Sequence, residues 1–283
     1  MTITNDETVG TNDGARGRIG LQLYTVRQQM RADAVGTLEA VAAAGYSAVE
    51  LVGYGNADVA TVDQVLRHLE VEVIGAHISY QDLDRDFGRA LADLHLLGAS
   101  FLIVQQARPG DWATVDSVKR LADRFNQWGA RCRDEGLTLG YHGYHPVELE
   151  FAPIGRGTGY DLMVAETDPA LVKIQLDTYW LRYLGRDPVG VLEAYAGRVP
   201  SLHMKDTALD GGDVPVGSGT TPWPAVIAAA RRAGVSWFIV EQEDDPDHAL
   251  QDMGQSLSFL TNALATGETE EQVRLFGQQE ARE

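Results

Sequence analysis

Eight short apolar runs recur along this chain, each followed by a longer amphipathic stretch, and no other feature restricts the fold as much. The runs are Ile19–Thr25, Ala48–Gly53, Val71–Ser79, Phe101–Gln106, Leu137–His145, Val172–Asp177, Val199–Lys205 and Trp237–Glu241. They span 5 to 9 residues and most are rich in Val, Ile, Leu and aromatics, the composition of strands buried on both faces of a parallel sheet. The stretches between them read as helices. Ala34–Ala44 ends at Gly45, and Ala60–Leu69 puts Val62, Val65, Leu66 and Leu69 on one face. Phe87–Leu97 ends at Gly98, and Thr114–Arg133 spaces Val118, Leu121, Phe125, Trp128 and Cys132 at helical intervals. Asp161–Glu166, Pro188–Tyr195, Pro222–Ala233 and His248–Leu264 complete the series.

Eight strand–helix units over about 250 residues predict a single-domain (β/α)8 TIM barrel. A doubly wound sheet is the structural alternative. It is disfavoured because eight near-equal units suit closure and no G-x-G-x-x-G follows the first strand. The barrel is expected over residues 19–265, between a polar N-terminal tail, 1–18, and a charged C-terminal tail, 266–283.

The 23 basic and 41 acidic residues give a formal net charge of −18, which repels a phosphate backbone and argues against nucleic acid. Cys132 is the only cysteine, so an internal disulfide and a multi-cysteine metal site are both excluded. A reducing cytoplasm is the expected compartment. No run of 18 apolar residues is present, and residues 1–18 lack the apolar core of a signal peptide, so no membrane partner is expected.

In a parallel barrel the chemistry sits where the strands end. The sixth run ends in Asp177, followed by Thr178, Tyr179 and Trp180. The seventh carries His203 and Lys205, the eighth ends at Glu241, and the fifth leads through His142 and His145 to Glu148 and Glu150. The third carries His77. Taken singly, an acid at a strand end is more often a helix cap, and a lone histidine more often a packing residue. Together they place carboxylates and imidazoles of four consecutive strands on one rim, where they repel unless a positive charge lies between them. A divalent cation held by carboxylates and one imidazole is the simplest solution.

The segments Ile19-Gly-Leu-Gln-Leu-Tyr-Thr-Val-Arg27, Leu176-Asp-Thr-Tyr-Trp180, His203-Met-Lys-Asp206 and Val240-Glu-Gln-Glu243, with Asp187-Pro-Val189 and Tyr195-Ala-Gly-Arg-Val199, resemble the xylose isomerase-like TIM-barrel family of sugar phosphate isomerases/epimerases. The resemblance runs from Ile19 to Leu264. It implies one divalent ion, Mn, Mg, Zn, Co or Fe with Mn favoured, held by Glu150, Asp177, His203 and Glu241. Residues 144–151 fit the family's strand-5 frame, with Val147 where a second histidine would stand, which nominates Glu150; a second frame leaves Glu148 open. The implied activity is proton abstraction next to the carbonyl of a keto-sugar, sugar or cyclitol, with Glu150 and Glu241 as the proton-transfer pair. Lys205 would bind substrate oxygen or donate a proton; a salt bridge with Asp206 is an equal alternative. His77, His142, His145 and Trp180 are the candidate substrate contacts. Glu50 reads as a buried structural carboxylate.

An isomerase or epimerase is the leading expectation, cytoplasmic and homo-oligomeric, with a small carbohydrate as substrate. A lyase of the inosose dehydratase or keto-glycoside type would share the first step. A non-catalytic sugar-binding barrel is a third possibility. An abasic-site endonuclease on this fold would need more than the 7 histidines present and a basic groove.

Overall fold

Strand register closes the sheet on itself in a computed structural model that describes residues 17–143 and 157–265. The strands are β1 (Arg18–Gln22), β2 (Ala48–Leu51), β3 (Glu72–Ile78), β4 (Phe101–Val104), β5 (Thr138–His142), β6 (Val172–Asp177), β7 (Ser201–Met204), β8 (Asp206–Thr207), β9 (Asp213–Val214) and β10 (Trp237–Val240). Eight of them form a closed parallel barrel in the order β1-β10-β7-β6-β5-β4-β3-β2, while β8 and β9 pair only with each other, antiparallel. Each of the eight apolar runs thus coincides with one barrel strand, β1 starting one residue earlier at Arg18, and the fold is a (β/α)8 barrel.

Period-2 alternation sorts the strand residues into two layers. Leu21, Val49, Leu51, Leu102, Leu139, Leu176, Leu202, Phe238 and Val240 belong to the large core between barrel and helices. A separate small cluster, Ala48, Ile74, Trp237 and Ile239 with Phe101 against it, plugs the barrel where the strands begin. One or two positions further along, the inward residues become polar: Gln22, Glu50, Gln175, Ser201, Asp177 and His203, all buried. The interior is apolar at one end and hydrogen-bonded at the other, and the polar end is the one where barrel sites form.

The helices follow the sequence reading with instructive shifts. The helix expected from Phe87 spans Tyr80–Leu96, capped by Ser79, whose Oγ accepts from the Asp82 N–H. Asp86 within it leaves helical geometry, and its side chain accepts from the Arg89 N–H at 3.0 Å, an internal restart of the helix. Helix Thr178–Tyr183 was not foreseen; six residues are too few to show a period, and it starts on the cap provided by Asp177. The short helix Arg27–Ala32 and the β8–β9 hairpin were missed for the same reason.

Helix Val115–Asp134 packs against the approach to β6 so closely that a Cβ at Gly129 would lie 2.5 Å from the Leu171 carbonyl oxygen. Alanine gains about 1 kcal/mol of helix propensity, but overpacking against immobile backbone costs about 1–3 kcal/mol. Gly129→Ala should therefore lower the unfolding free energy by roughly 1 kcal/mol in urea titrations. An unchanged or raised midpoint would show that this contact relaxes.

Candidate metal centre

Adjacent strands bring three of the four expected ligands together. Asp177 of β6 is in register with His203 of β7, and His203 is in register with Ile239 of β10, two residues before Glu241. His203 Nδ1 lies 2.8 Å from Glu241 Oε2 and 4.0 Å from Asp177 Oδ2. With His142 at the end of β5, these residues offer four potential ligand atoms that all lie within 4.8 Å of one another. All four side chains are buried.

Asp177 has two tasks, one per oxygen. Its Oδ1 accepts from the backbone N–H groups of Tyr179 and Trp180, at 2.8 and 3.2 Å, and so caps helix Thr178–Tyr183. Its Oδ2 is buried and has no hydrogen-bond partner among the described residues. A buried carboxylate oxygen left without a donor costs free energy unless a cation satisfies it. The donor set, carboxylate oxygens with imidazole nitrogens, suits a divalent ion such as Mn²⁺, Zn²⁺ or Fe²⁺. On the far side of the ring, His203 Nε2 lies 2.8 Å from Glu50 Oε1. A carboxylate behind a ligating imidazole is the usual support of a metal histidine.

The sequence-nominated Glu150, with Glu148 and His145, lies outside the described residues. His77, His142, Trp180 and Glu241 line one cavity of about 160 Å³, together with Tyr24 and Glu243. The rings of His77, His142 and His203 cluster with centroids 4.7–5.4 Å apart. Lys205 is buried beside this group. Its ammonium pairs with Glu243 and lies 3.4 Å from Asp213, and it stands 4.8 Å from the Tyr179 ring centre and 5.7 Å from that of Trp180. The alternative of a Lys205–Asp206 bridge is not realised. Asp206 is occupied by the N–H groups of Thr207, Gly217, Gly219 and Thr221 and by the Trp223 indole, and it anchors the loop after the hairpin.

Several site residues escaped the sequence reading: Gln22 and Gln175, which both donate to Glu50, and Glu243 and Asp213, which hold Lys205. A signal for the glutamines was present. Each interrupts an apolar strand at an inward position, between Leu21 and Leu23 and between Ile174 and Leu176.

The chain belongs to the xylose isomerase-like TIM barrel family. It matches that family over residues 38–263. It is 24% identical over 190 residues to an inosose dehydratase of Clostridium beijerinckii, covering 60% of this chain and 62% of that protein. An inosose dehydratase of Lacticaseibacillus casei is 24% identical over 246 residues, covering 73% and 80%. The chain spans only 49% of the Bacillus anthracis inosose dehydratase, at 28% identity over 152 residues covering 47% of this chain. Among solved structures, a sugar phosphate isomerase/epimerase from Parabacteroides distasonis superposes with TM-score 0.74 at 23% identity, covering 94% of this chain and 99% of that one. At that identity the likeness shows the fold alone.

Burial and charge set the protonation of the cluster. Burial pulls His203 down, but Glu241 and Glu50 outweigh it and hold the ring up at about 10. Burial pushes Asp177 up to about 7, with Lys205 opposing and Glu241 adding. Burial also pushes Glu241 upward, but His203 and Lys205 prevail and hold it low. Burial opposes the charge of Lys205, which Glu241, Asp177 and Glu243 keep well above its usual range.

The raised groups act in one sense. Asp177, raised from 3.8 to about 7, contributes stability below pH 3.8 that is lost as pH rises through 7. His203, raised from 6.5 to about 10, contributes stability below pH 6.5 that is lost as pH rises through 10. The depressed Glu241 contributes in the other direction and is lost only on acidification. Divalent-cation binding must also displace a proton from His203, so it strengthens as pH rises. The rise in melting temperature on adding Mn²⁺ or Zn²⁺ should therefore be larger near pH ~8.5 than near pH ~6, and calorimetry in two buffers of different ionisation enthalpy should show proton release. Equal shifts at both pH values, with no proton released, would count against this site. Asp177→Asn should raise the metal-free melting temperature at pH ~8 by about 2–4 °C, the equivalent of about 1 kcal/mol, and shrink the cation-induced shift.

Proposed function

We propose that this protein is a divalent-metal-dependent enzyme that removes a proton next to the carbonyl of a small carbohydrate, as the first step of isomerisation or epimerisation. One observation carries this reading: Asp177, His203 and Glu241, from three neighbouring strands, meet with His142 beside a cavity of sugar size. The structural neighbours on this fold include a D-psicose 3-epimerase, TM-score 0.69 at 17% identity, covering 87% of this chain and 99% of that one. The family supports the fold and the ligand positions; the substrate is our inference.

Asp177, His203, Glu241 and either His142 or Glu150, the latter outside the described residues, would hold the ion. Bound there, it would offset the negative charge that develops on the substrate oxygens as a carbon-bound proton leaves. The remaining chemistry belongs to the chain. Glu241, ionised and facing the cavity, takes the proton. Glu150, outside the described residues, is the second proton-transfer carboxylate that the family resemblance implies. His77 and His142 offer hydrogen bonds to hydroxyl groups, and Trp180 supplies an aromatic wall for a sugar ring. The Lys205 ammonium, buried behind Tyr179 and Trp180, opposes the protonation of Glu241 and Asp177. Arginines in the neighbouring cavity, Arg85 and Arg89, are paired with Asp82 and Asp93, which favours an unphosphorylated substrate.

A second reading, a lyase, draws support from the inosose dehydratases among the relatives. The same proton abstraction would then expel a β-hydroxyl or glycosyl group, with Lys205 as the source of the proton for the departing oxygen.

A screen of keto-sugars and inososes in D₂O, with Mn²⁺ added and NMR as readout, tests both. Deuterium at the carbon next to the carbonyl is expected in either case; an epimer identifies the first reading and an enone or dehydrated product the second. Absence of exchange with every substrate would leave a sugar-binding barrel. Glu241→Gln should lower exchange at least ~10²-fold. It should weaken metal binding less than His203→Ala, which deletes a ligand. Exchange at the wild-type rate would remove Glu241 as the base.

A further inference from the structure

We propose that Glu50 is a positioning residue, its single carboxylate holding a proton on Nε2 of both His203 and His77 and setting the orientation of both rings. Glu50 is fully buried at an inward position of β2, below the candidate metal centre. Three donors converge on its Oε1: Gln22 Nε2, His77 Nε2 and His203 Nε2, each at 2.8 Å. A fourth, Gln175 Nε2, reaches Oε2 at 2.7 Å.

The donor directions are set by the surroundings. Gln22 Oε1 accepts from the Tyr24 N–H at 3.1 Å, so the amide must turn its NH₂ toward Glu50. Gln175 Nε2 also donates to Ser201 Oγ at 3.0 Å, and its Oε1 lies 2.8 Å from His77 Nε2. His77 Nε2 therefore faces two acceptors, Glu50 Oε1 and Gln175 Oε1, and must carry the proton. Among the described residues His203 Nε2 faces Glu50 alone and must carry one as well, and Nδ1 is the nitrogen turned to Glu241 and Asp177. One charge thus orients a ring that faces the ligand cluster and a ring that lines the cavity.

A neutral amide at position 50 cannot reproduce this. With its oxygen toward the three donors, its NH₂ would confront the NH₂ of Gln175. Gln175 would then have to flip, which leaves His77 Nε2 between the amide oxygen at position 50 and the NH₂ of Gln175, so neither tautomer satisfies both neighbours. The consequence is specific: His77 should no longer be held in the Nε2–H form alone, and the Nδ1–H form should become populated.

The part that concerns an ion rests on the metal reading above, and the test keeps the two apart. Full-length protein with ¹⁵N-labelled histidine is examined by long-range ¹H–¹⁵N correlation, metal-free and then with Zn²⁺. In the wild type, both Nε2 atoms should carry protons, and His203 should keep its Nε2 proton when Zn²⁺ is added. In Glu50→Gln, His77 should show the Nδ1–H form beside the Nε2–H form, and Zn²⁺ affinity, read by chelator competition, should fall 10–100-fold. A purely structural role for Glu50 would lower the melting temperature while leaving tautomers and affinity unchanged, and that result overturns the proposal. If Glu50→Gln does not fold, the wild-type spectrum decides: His77 protonated on Nδ1, or His203 without an Nε2 proton, overturns it equally. Wild-type protein that shows both Nε2 protons but binds no Zn²⁺ removes the metal reading and leaves the positioning role supported.

Discussion

Glu50, Asp177 and Glu241 are three carboxylates buried at the polar end of one barrel, and the cost of removing their charge from water governs the structure around them. Each is met differently. Among the described residues, Glu50 receives four side-chain donors, Glu241 the His203 ring, and Asp177 two backbone N–H groups on one oxygen and none on the other. Lys205 is the compensating cation nearby, and it draws in Glu243 and Asp213. Asp213 in turn accepts from the N–H groups of Glu243 and Asp244, which fastens the β8–β9 hairpin to the end of β10. The loops around the mouth are therefore shaped by charge pairing that starts at the barrel floor.

The fold was legible because burial on both strand faces leaves continuous apolar runs, and eight of them at even spacing leave few alternatives to closure. Asp177, His203 and Glu241 were legible because each stands at the point where such a run turns polar. His77, His142 and Trp180, singled out from the same strand ends, line the cavity. Less was visible where partners are remote in sequence. Glu50 meets Gln175 across 125 positions and His203 across 153, and a buried carboxylate in an apolar run shows nothing of what it faces. The partners of Lys205, Glu243 and Asp213, are hidden for a related reason. Its neighbour Asp206 is adjacent in sequence, but strand alternation turns successive side chains to opposite faces, and Asp206 closes the loop that begins at Gly217.

Asp177 shows why the bland and the functional readings of a strand-end acid need not compete. As a helix cap it fixes its own rotamer: two N–H donors on Oδ1 leave Oδ2 pointing to one side only, toward His203 Nδ1. The helix it caps is just six residues long, too short to hold without such a cap, and it carries Trp180 into the cavity wall. Cap, candidate ligand and aromatic wall are consequently one unit. A change that displaces the Asp177 carboxylate displaces the wall against which a substrate would rest, so ligand geometry and cavity shape cannot vary independently. The unpartnered Oδ2 is the counterpart of that economy. A group already committed through one oxygen has no freedom to seek a donor for the other, and the protein retains a buried acceptor whose natural complement is a cation.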